Sequence, residues 1–232
     1  MALTEAHIAD LYAFTRKHYV EYYDLQTELV DHMANDIEVI LEENPKMTFE
    51  EARDASFKKF GIFGFMEVVE ERQKAMSKIY MKLLWNYAKD WFRLPQILVT
   101  MAIFGSLYTV FSFENGGLIF VAFFLLLCLI LFAKTIALNR KIKQKQKANK
   151  KLWLLEDIIF RNASMGTLFI GPQIFQILTF TDTSGFTGCV PLICAVVFTV
   201  VIIYTYISVV VLPKNATFHL QNTYPEYRLV ES

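Results

Sequence analysis

The sequence is poor in the features that stabilise or sort a secreted domain. Only three cysteines occur among its 232 residues, Cys128, Cys189 and Cys194. Their number is odd, their spacing is not that of a metal site, and all lie in or beside apolar runs. A disulfide framework is therefore not expected, and buried thiols are. Met1 to Asp10 carry neither a basic n-region nor an apolar h-region, so no cleavable signal peptide is expected there. Charge is absent from two long stretches, Leu118 to Ala133 and Gly188 to Leu212. A soluble helix of that length normally keeps one polar face, so these stretches point to a hydrocarbon environment. Acidic residues are absent from Arg140 to Lys151, which holds seven basic ones.

The residues that are present are strongly segregated. The chain is 54% hydrophobic and 20% charged, with 21 phenylalanines and a formal net charge of zero. Mean hydropathy is +0.34. Through Glu71 there are 16 acidic residues against 6 basic ones, whereas Arg72 to Arg93 holds 6 basic residues and only Asp90 opposite them. Such asymmetry points to a membrane surface or a charged partner.

Crossing a bilayer takes ~20 mostly apolar residues. Four segments meet that length: about Leu94–Phe113, Gly117–Leu138, Ile158–Phe180 and Cys189–Leu212. Lys134 and Arg161 are the charges within them, each near an end where a long basic side chain can reach the headgroups. The connections Glu114-Asn115-Gly116 and Asp182-Thr183-Ser184-Gly185 have no Lys or Arg, whereas the connection between the second and third segments is basic. Lys/Arg-rich loops stay in the cytoplasm. The predicted topology is thus a multi-pass membrane protein with both termini cytoplasmic. Arg140, Lys141, Lys143, Lys145, Lys147, Lys150 and Lys151 are predicted to contact anionic lipid headgroups.

Small residues Ala163, Thr167 and Gly171, and also Gly105 and Thr109, recur every four positions and suit close helix packing, inside one bundle or in a homo-oligomer. Pro172 should kink the third segment. Gln173 and Gln176 just beyond it either bond between helices or line a polar path. Leu152 to Asp157, with Trp153 near its start, reads as an interfacial lead-in to that segment, and Tyr87, Trp91 and Phe92 as an interfacial anchor.

Before the membrane half the periodicity changes. Helices are predicted over Glu5–Tyr19 and Tyr22–Glu43, the latter with an apolar stripe at Leu25, Leu29, Met33, Ile37 and Ile40. Asn44-Pro45 breaks it. A third helix opens on the capping box Thr48…Glu51 and stops at Gly61, and a fourth starts near Phe65. The predicted fold is all-α: a cytoplasmic helical domain at 1–80, a juxtamembrane helix at 81–93, a four-helix transmembrane bundle at 94–212 with a basic cytoplasmic loop at 140–151, and a cytoplasmic tail at 213–232. Glu28 and His32, four apart, are expected to hydrogen-bond. His7 and His18 complete no metal-ligand spacing, so no metal or cofactor is expected.

Asp24-Leu25-Gln26-Thr27-Glu28-Leu29-Val30-Asp31-His32, Ile37-Glu38, Pro45, Thr48-Phe49-Glu50-Glu51-Ala52 and Phe60-Gly61 together resemble a recurrent bacterial module. It is the short helical cytoplasmic domain that precedes transmembrane helices in the HAAS and permease-prefix group. The resemblance covers about a fifth of the chain and implies a signalling or regulatory membrane component, of a kind sometimes encoded beside PadR-type regulators. It brings no catalytic residues. From the residues themselves, no nucleophile, acid–base pair or metal set converges, and an enzyme is not expected. Glu156, Asp157 and Arg161 form a charged cluster that reads as a salt bridge. The expected function is a regulatory, signalling or scaffold protein whose acidic residues Asp36, Glu38, Glu42 and Glu43 bind a cytoplasmic protein partner. A small transporter or channel subunit using Gln173 and Gln176 is the alternative. Nucleic acid is not an expected partner, because the basic stretch adjoins the membrane and has only Trp153 for stacking.

Overall fold

A computed structural model of the chain describes residues 3–147, 151–163 and 188–230. Among these there are helices and no strands. The chain divides into two compact units, Met1–Lys78 with Gln146–Leu155, and Ile79–Lys145 with Glu156–Ser232.

The first unit, the head, contains α1 (Glu5–Lys17), α2 (Tyr23–Glu43), α3 (Phe49–Lys58) and the first half of α4 (Met66–Asp90). Local chemistry sets the starts of two of these. Thr48 accepts from the Glu51 N–H while the Glu51 carboxylate accepts from the Thr48 N–H, which closes the predicted capping box. An analogous box at Thr4 uses His7, whose ring nitrogen accepts the Thr4 N–H. The α2 stripe is buried as its spacing predicts: Leu25, Leu29, Met33 and Ile37 lie in the core with Leu11 and Ala52. Phe14, Phe57, Phe60 and Phe65 meet largely edge-to-face beside the His18 ring. Gly64 has φ +54°, and a Cβ there would press into the Phe57 ring, so this turn requires glycine.

α1 ends earlier than Tyr19, in a Schellman turn. The Val20 N–H donates to the Thr15 carbonyl and the Tyr19 N–H to the Arg16 carbonyl. Tyr19 holds the left-handed position of that turn, at φ 65°.

The head also includes chain from far downstream. The Tyr23 N–H donates to the Leu152 carbonyl at 2.7 Å, and the Leu154 N–H donates to Asp24 Oδ1 at 3.1 Å. Trp153 is buried with its ring edge-on to Tyr23. The interfacial role expected of Trp153 is thus replaced by packing in the head, since the start of α2 offers backbone and carboxylate partners to this segment.

The second unit contains the rest of α4, α5 (Gln96–Phe111), α6 (Gly116–Lys147, of which the last two residues belong to the head), α7 over residues 154–163 from position 156, and α8 (Val190–Tyr206). A π-helical turn (Ile207–Val211) continues into α9 (Leu212–Lys214), followed by α10 (Ala216–Thr223) and α11 (Tyr227–Val230). α5 packs along α8. Phe111, Phe120 and Phe124 all meet the buried Phe198 ring edge-on. A second cluster joins Leu131 and Leu138 of α6 to Ala163 and Val209.

Among the described residues two helices are long and apolar enough to cross a membrane, Gly116–Arg140 and Val190–Lys214. The first expected span shortens to the 16 residues of α5, because Pro95 sits at its N-cap and Ser112 at its C-cap. Of the third, only 158–163 is described. Thr167, Gly171, Pro172, Gln173, Gln176 and the 182–185 connection lie outside the described residues, as does Lys150. The basic stretch also differs from the expected loop: Arg140 to Lys147 continue α6 without a break. No glycine or proline interrupts them, and Lys, Arg and Gln are good helix formers.

Candidate functional site

The acidic residues of α2 fall into two groups. Asp36 is half-buried and paired with Lys59 at 2.5 Å. Burial alone would raise its carboxyl, but its hydrogen bonds, Lys59 foremost, outweigh that and hold it below the usual value. Glu38 Oε1 accepts the Leu3 N–H at 3.0 Å. Both therefore serve the head's own packing. Glu43, by contrast, is exposed at the end of α2, beside an equally exposed Glu42, and no basic residue stands in that last turn. Negative side chains there face the negative end of the helix dipole, which costs roughly 0.3–1 kcal/mol each. The expected Glu28–His32 hydrogen bond is not formed; Glu28 pairs with Arg72, and exposed His32 meets the edge of Phe60. The four-residue spacing was right for contact, but a guanidinium from α4 is the stronger partner for the carboxylate.

Beside this acidic surface lies an apolar tip. Lys59 reaches Asp36 and Phe60 reaches His32, so the turn from Gly61 to Gly64 stands against the middle of α2. Ile62 is 98% exposed and Phe63 67%, while Phe65, just past Gly64, is buried as the anchor of the turn. The sequence signal was there in Gly61-Ile62-Phe63-Gly64, but a stop signal for α3 explained the glycine first.

Among the basic residues, Arg140 and Lys143 are exposed on α6. Lys141, Lys145 and Lys147 follow the same helix. Lys151 is placed differently: its ammonium sits 3.8 Å from the centre of the Tyr23 ring. That proximity holds the Tyr23 phenol below its usual value. α6 rises about 48 Å over its 32 residues at 1.5 Å each. That is longer than the ~30 Å of a hydrocarbon core.

The long apolar stretches of α6 and α8 are apolar on their outer as well as their inner faces. Only 22% of the most apolar stretch of α6 is buried, with Leu118, Leu125, Leu129 and Phe132 all exposed. On α8 Leu192, Ile193 and Val200 are exposed likewise. Of the cysteines, Cys194 is buried, Cys128 half-buried, and Cys189 exposed rather than buried because it caps α8 at a turn. Arg161 and Asp157 form a long pair at 3.8 Å.

Polar contacts join α4 to the C-terminal helices within this unit. The Tyr80 and Ser208 hydroxyls are 3.1 Å apart, and burial pushes the Tyr80 phenol up to about 12. The Tyr87 hydroxyl lies 3.0 Å from His219 Nε2, and burial lowers the His219 pKa. Among the described residues no group of three or more His, Cys, Asp or Glu is placed to hold a metal ion. No protein-family model, curated protein or solved structure matches the chain.

Proposed function

We propose that this is an integral membrane protein of regulatory, signalling or scaffold type, in a bacterial cytoplasmic membrane, whose helical head binds a cytoplasmic protein partner. The observation that carries the membrane part is the outward apolar surface of α6 and α8. The core helix of a soluble protein would bury such residues, and contiguous apolar patches of this extent are rare on soluble monomers. The discontinuous head supports two crossings before residue 146. Met1–Lys78 and Gln146–Leu155 belong to one compact unit, so they share one side of the bilayer. An even number of crossings must separate them. If α6 crosses, α5 crosses too, its 16 residues completed by flanking apolar chain such as Leu94 and Phe113. The basic end of α6 favours the cytoplasm for that shared side.

Binding by the head draws support from Glu43, exposed at the end of α2, whose charge opposes the dipole of its own helix and would be relieved by a cationic partner. The exposed Ile62 and Phe63 add an apolar contact of the kind that anchors interfaces. The resemblance of residues 24–71 to HAAS and permease-prefix modules favours the same role. The transporter alternative rests on Gln173 and Gln176, outside the described residues.

The test is a photo-crosslinking amino acid placed at Glu43 or Ile62 of the full chain in cells. A discrete adduct to one protein is expected at both positions, and the Ile62 adduct is expected to be lost when Glu43 is replaced by Lys. Adducts at neither position sink the binding role. Release of the protein from membranes by alkaline carbonate sinks the membrane part independently.

A further inference from the structure

One cavity in the second unit is walled by aromatic rings and by groups that attract positive charge. It measures about 240 Å³ and is lined by Tyr87, Trp91 and Tyr206, with Asp90 and Gln96 beside them and Ile207 and Val211 completing it. Trp91 and Tyr206 are inclined at 61° with centroids 5.3 Å apart, so they form two walls of a corner. Their positions are fixed from outside the corner. Trp91 Nε1 donates to Thr100 Oγ1 at 2.9 Å, and the Tyr87 hydroxyl is engaged with His219.

Two acceptor groups stand at the cavity, the Gln96 amide oxygen and the Asp90 carboxylate. Gln96 Oε1 is buried and has no hydrogen-bond partner, which is costly for a polar atom. Asp90 carries a full negative charge. It is paired with Arg93 at 3.2 Å, but both side chains are more than half exposed, and such a pair is held weakly enough to exchange partners. Tyr87 and Asp90 come from the last turn of α4, at the negative end of its dipole. Gln96 opens α5, where the dipole has the opposite sign. A full carboxylate charge outweighs either half charge. Aromatic faces attract cations. The far wall is the π-helical turn, a local irregularity that recurs at functional sites.

We propose that this cavity binds a small organic ammonium ion that retains at least one N–H. The rings hold the cation, Gln96 Oε1 accepts the N–H, and Asp90 supplies the counter-charge. Two sources offer this chemistry, the headgroup of an ethanolamine lipid and a free alkylamine. Only the lipid source depends on the membrane reading above.

The test is calorimetric titration of the full chain, in nanodiscs of phosphatidylglycerol, with propylammonium; tetramethylammonium and neutral propanol are the controls. Saturable binding of propylammonium is expected, with propanol and tetramethylammonium each about tenfold weaker or undetectable. Asp90→Asn and Gln96→Leu should each weaken propylammonium severalfold to about tenfold at unchanged helicity. If Gln96→Leu misfolds, Tyr206→Leu reads the aromatic wall alone, with the same expectation. Tetramethylammonium or propanol binding as tightly as propylammonium overturns the proposal, as do variants that bind like the parent. Adding phosphatidylethanolamine to the discs identifies the source: competition supports the headgroup, and unchanged propylammonium binding supports a soluble amine. Protein that washes off membranes yet binds propylammonium removes the membrane reading and keeps this site; the reverse removes only this site.

Discussion

Single positions in the head carry strain that can be measured. Tyr19 occupies the left-handed place of the Schellman turn, where a side chain costs roughly 1–2 kcal/mol relative to glycine. It is 84% exposed, so little packing compensates. Tyr19→Gly should therefore raise stability by about 0.5–1 kcal/mol after the greater flexibility of unfolded glycine is deducted; urea unfolding would show a higher midpoint at constant slope. Glu43→Lys should likewise stabilise the head, by roughly 0.3–1 kcal/mol, by placing a cation at the end of α2. If the head binds as proposed, the same change weakens capture of its partner, so stability and binding move in opposite directions. His219 gives a pH dependence. Its folded pKa lies below the usual 6.5 because burial penalises the imidazolium. The unfolded chain then takes up the proton first. The stability held above pH 6.5 is lost as pH falls through the lower folded pKa. Thermal melts at pH 7.5 and 5.5 should show a larger acid-induced drop in the parent than in His219→Gln; equal drops would assign the effect elsewhere.

At the scale of the element, what was legible in the sequence was what is decided locally. The Thr48–Glu51 box and the α2 stripe depend on neighbours within one or two turns, and both formed where the spacing predicts. Contacts made across the chain were not legible. Asp36 reads as part of a partner-binding acidic face until Lys59 folds back onto it, and Glu28 reads as a partner for His32 until α4 brings Arg72. Trp153 was misplaced for the same reason, since a tryptophan after a basic run looks the same whether it meets headgroups or Tyr23. Of the cavity, Tyr87 and Trp91 were visible as an aromatic pair, but nothing local joins them to Tyr206 or Gln96. A fragment of residues 1–80 lacks Trp153 and should be several kcal/mol less stable than one carrying 146–157 on a flexible linker, since truncating a buried Trp alone costs ~3–5 kcal/mol. Comparable urea midpoints for the two fragments would mean that the late segment decorates the head without supporting it.

For the whole molecule, the proposed topology makes a directional prediction. With Cys128, Cys189 and Cys194 replaced, a cysteine at Asn115 should react with an impermeant maleimide from outside the cell and one at Lys143 only after permeabilisation. Labelling of both from the same side would contradict a single crossing by α6. The head's composition from two distant stretches also bears on how the protein is made. Residues 1–78 leave the ribosome first, and about 70 further residues follow before the segment at 146–155 appears. At ~5–20 residues per second the head stays incomplete for roughly 3–14 s, with the start of α2 uncovered. Throughout that interval the translation machinery is handling α5 and α6. In the proposed topology the head can close only once α5 and α6 have returned the chain to the side it left, so its closure would report that insertion succeeded. A chaperone or protease that recognises the uncovered groove at Tyr23 and Asp24 would thereby distinguish inserted chains from stalled ones.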